Sequence, residues 1–259
     1  MELWEPFFEF GYDDPFSEES PFVHPEPVSE PFCHNRLIEE SGCAEEDVEN
    51  IFPLVEGSGK IRVPTVHAPC TKTLARNLCA FFGQLTRKFG ATRKILKGRK
   101  TVIHAMDSSS TLLSADLVAS TDPISISTSR FVLTETVKIL KEAGQEVPAW
   151  ILPAIDAVIR SRDMLGPDGN FLGRSFCGAE MGLGVGWFVL CMLNSFCAEE
   201  AGALPSSYEV CGDDLIGFWP PTVIDNYFKE IEALHLVINR SKSFISQHGG
   251  VFCERYVTR

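Results

Sequence analysis

Apolar positions recur along this chain with two periods. Between 61 and 66, Ile61, Val63 and the Thr65-Val66 pair alternate into a predicted strand whose other face carries Lys60 and Arg62. From Thr71 the spacing becomes helical, with Leu74, Leu78, Phe81 and Leu85 on one face and Thr71 or Thr73 near the start. TLLSADLV predicts a strand ending near Asp116, and ISTSRFVLTETVKILKEAG a helix closed by Gly144. AWILPAIDAVIRSR predicts a second helix with Pro153 in its first turn, and GPDGNF a turn. The Gly-rich loop CGAEMGLGVG feeds an apolar helix over 187–201. Two apolar runs then flank Gly212-Asp213-Asp214, which predicts a hairpin over 208–219 with adjacent carboxylates at its tip. VIDNYFKEIEALHL reads as an amphipathic helix, VINRSKSFIS ends in a strand, and GVFCERYV is the last strand. Ahead of residue 57 the pattern fades. Residues 36–55 read as a helix, clearest in CAEEDVENIF, and residues 1–35 hold neither period. Strands and helices mix without βα alternation, which predicts an α+β fold.

Charge changes this picture. The net charge is −12, but residues 1–59 carry 16 acidic and 1 basic residue, and residues 60–100 carry 11 Lys or Arg and no Asp or Glu. The second segment is an electrostatic footprint for phosphates, or a solvated basic helix face. Nine cysteines without C-x-x-C spacing point to neither a zinc site nor a disulfide framework, and so to a reducing compartment. The longest apolar run, Leu183–Ala198, is interrupted by Gly and Asn and is short for a bilayer, so it reads as a buried helix and no membrane span is expected.

A Gly-Asp-Asp tripeptide alone is a weak signal, and an Asp-Asp turn is often only solvated. Here it stands in an ordered set: the basic strand GKIRVP, the carboxylates of SADLVASTD, the loop GAEMG opening a helix, the hairpin tip, the lysine of NRSK, and GVFCERY. This set resembles the palm of viral RNA-dependent RNA polymerases, closest to the narnavirus and botourmiavirus kind, over roughly residues 57–256. The resemblance implies a right-hand polymerase palm, an antiparallel sheet backed by helices, with partial fingers. Its divisions are an acidic segment 1–59, a fingers portion 60–106, a palm 107–248, and a primer-grip strand 249–259 that leads to an absent thumb.

The resemblance also implies roles. Asp116, Asp213 and Asp214 are catalytic metal-binding carboxylates, with the Leu117 carbonyl as an extra ligand. Side chains alternate along a strand, so Asp213 is expected to face Asp116 and Asp214 to act from the side. Three converging carboxylates repel by about 4 kcal/mol per pair at ~4 Å and an effective dielectric of ~20. Two Mg²⁺ or Mn²⁺ ions relieve this and serve phosphoryl transfer. Lys60 and Arg62 grip the incoming triphosphate. Asp122 senses the ribose 2′-hydroxyl, or else caps the helix after Pro123. Gly178, Met181 and Gly182 form the loop that positions template and nascent pair. Lys242 protonates the leaving pyrophosphate. Asn194 departs from the family pattern by one helical turn: it is either the ribose-sensing partner of Asp122 or a buried, hydrogen-bonded helix residue.

The expected partners are RNA template, nascent RNA, ribonucleoside triphosphates and a second polypeptide that supplies the thumb. The setting is the host cytoplasm, with the mitochondrion as the alternative. A reverse transcriptase shares the palm chemistry, but Cys211-Gly212 stands where that family usually has an aromatic and an apolar residue. An RNA-holding module without turnover is the reading from another class.

Overall fold

The computed structural model describes residues 36–38, 48–55, 57, 59, 61–178 and 183–258. Strands β1 (Val48–Ile51), β2 (Leu54–Val55), β3 (Ile61–Arg62) and β4 (Thr65–Val66) come first. Helices Pro69–Thr86 and Arg93–Leu96 follow, then β5 (Thr111–Ala115) and β6 (Leu117–Val118). Helices Ile126–Glu142 and Ile151–Val158 precede the hairpin β7 (Asp163–Leu165) and β8 (Phe171–Arg174). The Val185–Glu200 helix leads to β9 (Tyr208–Cys211) and β10 (Asp214–Trp219). Helix Pro221–Ala233 is followed by β11 (Val237–Ile238), β12 (Phe244–Ser246), β13 (Gly249–Phe252) and β14 (Arg255–Thr258).

The central sheet has the order β12-β5-β10-β9 and is antiparallel throughout. Strands β5, β9 and β10 are largely buried, while β12 is an exposed edge. Leu113, Ala115 and Leu215 face a helical layer, while Leu112, Ile216 and Phe218 face the β13–β14 hairpin through Phe252. The Val185–Glu200 helix is apolar nearly all round, and that is why it is buried. It packs between helices Pro69–Thr86 and Pro221–Ala233. No described helix is long and apolar enough to cross a membrane.

Several elements follow the pattern of the sequence. Ser125 caps the Ile126–Glu142 helix by accepting the Thr128 N–H at 3.0 Å, and Gly144 closes it at φ 72°. Others differ. The Pro69–Thr86 helix starts at Pro69, with no side-chain cap from Thr71 or Thr73, and Phe82 rather than Phe81 is fully buried. Pro64 divides the strand expected over 61–66 into the two-residue strands β3 and β4.

The helix expected over 36–55 is overturned at its described C-terminal end, where β1 lies between β4 and β7. Tertiary pairing wins because Glu49 is drawn inside to Arg162. Their charged ends stand 3.6 Å apart, and both side chains are 1% exposed. Residues 39–47 lie outside the described residues. The single last strand is also overturned: GVFCERYV is a hairpin, because Cys253 and Glu254 both take left-handed backbone (φ 48° and 61°) and turn the chain.

Candidate active site

Three carboxylates lie at one end of the central sheet. Asp116 follows β5 directly, and Asp214 heads β10. The two strands pair with Leu215 opposite Ala115, so continuing the register by one residue brings Asp214, and not Asp213 as strand alternation predicts, opposite Asp116, because Asp213 belongs to the turn and not to the strand. Asp213 sits beside it in the two-residue turn Gly212-Asp213, whose first residue has φ 66°. A glycine at the first central position gives a turn that follows the twist of the strands. Burial first, and then the charges of Asp213 and Asp116, hold the Asp214 carboxyl above the usual carboxylate range.

The tip is fixed from beneath by the Val185–Glu200 helix. Asn194, fully buried, donates through Nδ2 to the Gly212 carbonyl at 3.1 Å and accepts from the Tyr227 hydroxyl at 2.8 Å. The Gly212 N–H donates to Cys191 Sγ at 3.1 Å. Burial pushes the Cys191 thiol up to about 12, so this sulfur is uncharged at neutral pH. Of the two readings left open for Asn194, its surroundings match the buried, hydrogen-bonded one. One end of its amide holds the hairpin and the other is anchored to the Pro221–Ala233 helix.

Trp187 lies against Gly212. A Cβ there would come within 2.7 Å of the indole Nε1, in a backbone region that L-residues rarely adopt. Gly212→Ala is therefore expected to cost about 1–3 kcal/mol and to displace both aspartates. Thermal unfolding measures the cost. An unchanged melting temperature would show that Trp187 yields freely.

Asp116 is held by the turn that carries the expected lysine. Its carboxylate is 16% exposed, with Lys242 Nζ 3.6 Å from Oδ2 and Asn239 Nδ2 donating to the same oxygen at 2.7 Å. Leu117 enters β6 opposite Ile238. At the turn between β13 and β14, Cys253 hydrogen-bonds both Asp214 and Cys211. The bond between the thiols lowers Cys211 and raises Cys253. Asn239, Cys191 and Cys253 were not legible as site residues. The signal available was only their distance from each motif: Asn239 precedes Lys242 by one turn, and Cys253 lies within GVFCERY.

A second feature is a groove of about 280 Å³ between the segment 63–65 and the segment 174–178. Asp122 and Gly178 both line it, with Arg174 and Ser175 beside them. Asp122 is exposed and does not cap the following helix, since Ser125 does. Gly178 has φ 107° and donates to the Ile124 carbonyl at 2.7 Å. Lys60, Met181 and Gly182 lie outside the described residues, and Arg62 is placed only by its backbone in β3, opposite Leu54. Within the basic segment, Lys97, Arg99 and Lys100 are exposed, whereas Lys94 is committed to the buried carboxylate of Glu209 at 2.9 Å.

The donor set at the sheet end is oxygen-only, as a hard divalent cation requires. Among the described residues no three His, Cys, Asp or Glu side chains close on one point. A cation would have to draw Asp116 and the Asp213-Asp214 tip together.

No protein-family model matches the chain. It is 27% identical over 157 residues to the RNA-directed RNA polymerase of Saccharomyces 20S RNA narnavirus, covering 56% of this chain and 18% of that protein. It is 25% identical over 220 residues to the RNA-directed RNA polymerase of Saccharomyces 23S RNA narnavirus, covering 77% of this chain and 23% of that protein. The chain thus spans only about a fifth of the curated relatives it matches. Among solved structures, the RNA-dependent RNA polymerase of a human picorbirnavirus superposes with a TM-score of 0.56 at 14% identity, covering 81% of this chain and 44% of that one. Its insertion-loop deletion mutant gives the same score at 16% identity. The fold is that of a viral RNA-dependent RNA polymerase. Within the polymerase fold, the sheet β12-β5-β10-β9 is the right-hand palm expected from the motif order, and Asp116 and the Asp213-Asp214 tip stand at one end of it.

Proposed function

We propose that this chain carries the catalytic palm of an RNA-directed RNA polymerase, which adds ribonucleotides to an RNA 3′ end. The observation that supports this most is the register that sets Asp214 opposite Asp116, with Asp213 beside them. The similarity to two narnavirus polymerases points the same way.

In this reading Asp116, Asp213 and Asp214 hold two Mg²⁺ or Mn²⁺ ions, and the Leu117 carbonyl is an added ligand. When bound, the ions supply charge neutralisation for the transferring phosphate. Asn194, Trp187 and Cys191 keep the tip in place, so that little reorganisation is left for the reaction itself. Asp122 orients the ribose 2′-hydroxyl at the groove. The backbone at Gly178 admits close approach of the nascent pair, together with Met181 and Gly182. Lys242 stands beside Asp116 and donates a proton to the leaving pyrophosphate. RNA and ribonucleoside triphosphates are the partners, drawn by the basic segment 60–100.

Binding of single-stranded RNA is accordingly expected to weaken steeply with salt. Lys60→Ala and Arg62→Ala should each raise the nucleotide requirement about tenfold or more, the scale of a charge-assisted contact, and leave RNA affinity within about twofold. Steady-state extension and filter binding separate the two effects. Equal losses in both would make these residues general phosphate contacts. The function itself is tested by template-directed extension of an RNA primer, with and without divalent cation.

A further inference from the structure

The turn after β11 grips Asp116 at its backbone and at its side chain. Strand β11 pairs with β6 with Ile238 opposite Leu117, so the next residue, Asn239, falls opposite Asp116. The Asn239 N–H donates to the Asp116 carbonyl at 2.8 Å, and Ser243 Oγ accepts the Asp116 N–H at 2.9 Å. These bonds hold the backbone. The side chain of Asn239 does something different: its Nδ2 donates to Asp116 Oδ2 at 2.7 Å.

The orientation of that amide is determined locally. Asn239 Oδ1 accepts from the Ser241 hydroxyl at 2.7 Å and the Ser241 N–H at 3.3 Å, which leaves Nδ2 as the end that faces the carboxylate. The turn does not need this contact to close. The N–H groups of Lys242 and Ser243 both donate to the Asn239 carbonyl, at 3.0 and 2.8 Å. Lys242 Nζ, 3.6 Å away, approaches the same oxygen, Oδ2. The neutral amide donor and the ammonium group therefore both gather on one oxygen of Asp116.

We propose that Asn239 is a positioning residue for Asp116: it ties up Oδ2 and leaves Oδ1 for a divalent cation shared with the Asp213-Asp214 tip. The inference rests on the metal-dependent reading above. A hydrogen bond to a ligating carboxylate fixes its orientation, and removal of such a partner costs roughly 10–100-fold in metal affinity or activity.

The test is Mn²⁺ titration of the whole chain, followed by the paramagnetic resonance of free Mn²⁺. Asn239→Ala is expected to weaken Mn²⁺ binding about tenfold, with melting unchanged, and to lose extension at low Mn²⁺ but recover it at high Mn²⁺. Asn239→Ser, which keeps a turn-forming residue too short to reach Oδ2, should behave in the same way if the alanine variant folds poorly. Mn²⁺ affinity within twofold of wild type in the folded variants would overturn the proposal, because a merely structural turn lowers stability without changing the metal requirement. The polymerase reading fails separately. A wild-type chain whose Mn²⁺ binding depends on Asn239 but which extends no primer keeps the positioning role and loses the reaction.

Discussion

Asp213→Asn and Asp116→Asn should each reduce RNA extension by a factor of about 10³ or more while the chain stays folded, because each keeps its shape and loses the charge that holds a cation. Asp214→Asn should leave weak activity, better with Mn²⁺ than with Mg²⁺. Stability should move in the opposite direction. Burial, then Asp213, then Asp116 raise the folded-state pKa of Asp214. A carboxyl raised on folding contributes stability at low pH that is lost as pH rises through its folded pKa. At pH 7 the charge therefore destabilises the fold, and Asp214→Asn should melt higher than wild type. Extension assays and thermal melts on the same preparations check both halves. A variant that melts lower would show that Asp214 is compensated by contacts that hold its charged form.

The second large effect lies away from the carboxylates. Glu49→Ala should destabilise the chain by about 3–5 kcal/mol, the cost of breaking a buried ion pair from one side. Arg162 is 1% exposed and also donates to the carbonyls of Val158 and Ala157, so its guanidinium cannot turn out to water without breaking those bonds. Replacing both members, Glu49→Leu with Arg162→Met, should recover much of the loss. Denaturant unfolding of Glu49→Leu, of Arg162→Met and of the double variant gives the three values, and additive losses would argue against a coupled pair.

The same region sets an acid limit. Burial, then the charges of Arg162 and Lys72, push His67 from 6.5 down to about 4. The folded state therefore binds fewer protons than the unfolded one in that range. The contribution is present above pH 6.5 and is lost as pH falls toward about 4. His67→Gln should flatten this part of the stability profile.

The palm was legible because its signals are local. Apolar runs around Gly212-Asp213-Asp214 and the run ending at Asp116 fix strands, and a period of 3.6 fixes the helices between them. Gly144 and Ser125 mark helix ends by chemistry that needs no tertiary context. What was not legible depends on distant partners. Glu49 reads as one more acid in a helical run, and only Arg162, more than a hundred residues on, makes it a buried strand residue. Cys253-Glu254 carries no glycine to announce a turn, yet both residues take left-handed backbone. At the site the three aspartates, Asn194 and Lys242 were visible as candidates, but the contacts that hold the aspartates were not, nor were Asn239, Cys191 and Cys253. Asn194 reaches Gly212 across 18 residues, and Asn239 reaches Asp116 across 123. Spacing along the chain carries no trace of either contact.

Template-directed RNA extension tests the central claim most directly. The purified chain is given an annealed RNA primer and template, Mg²⁺ or Mn²⁺, and one nucleotide at a time. The account predicts addition of the complementary ribonucleotide only, abolished by chelation and by Asp213→Asn, with the matching deoxynucleotide used poorly. Addition that ignores the template base, prefers deoxynucleotides, or persists undiminished in Asp213→Asn would contradict it.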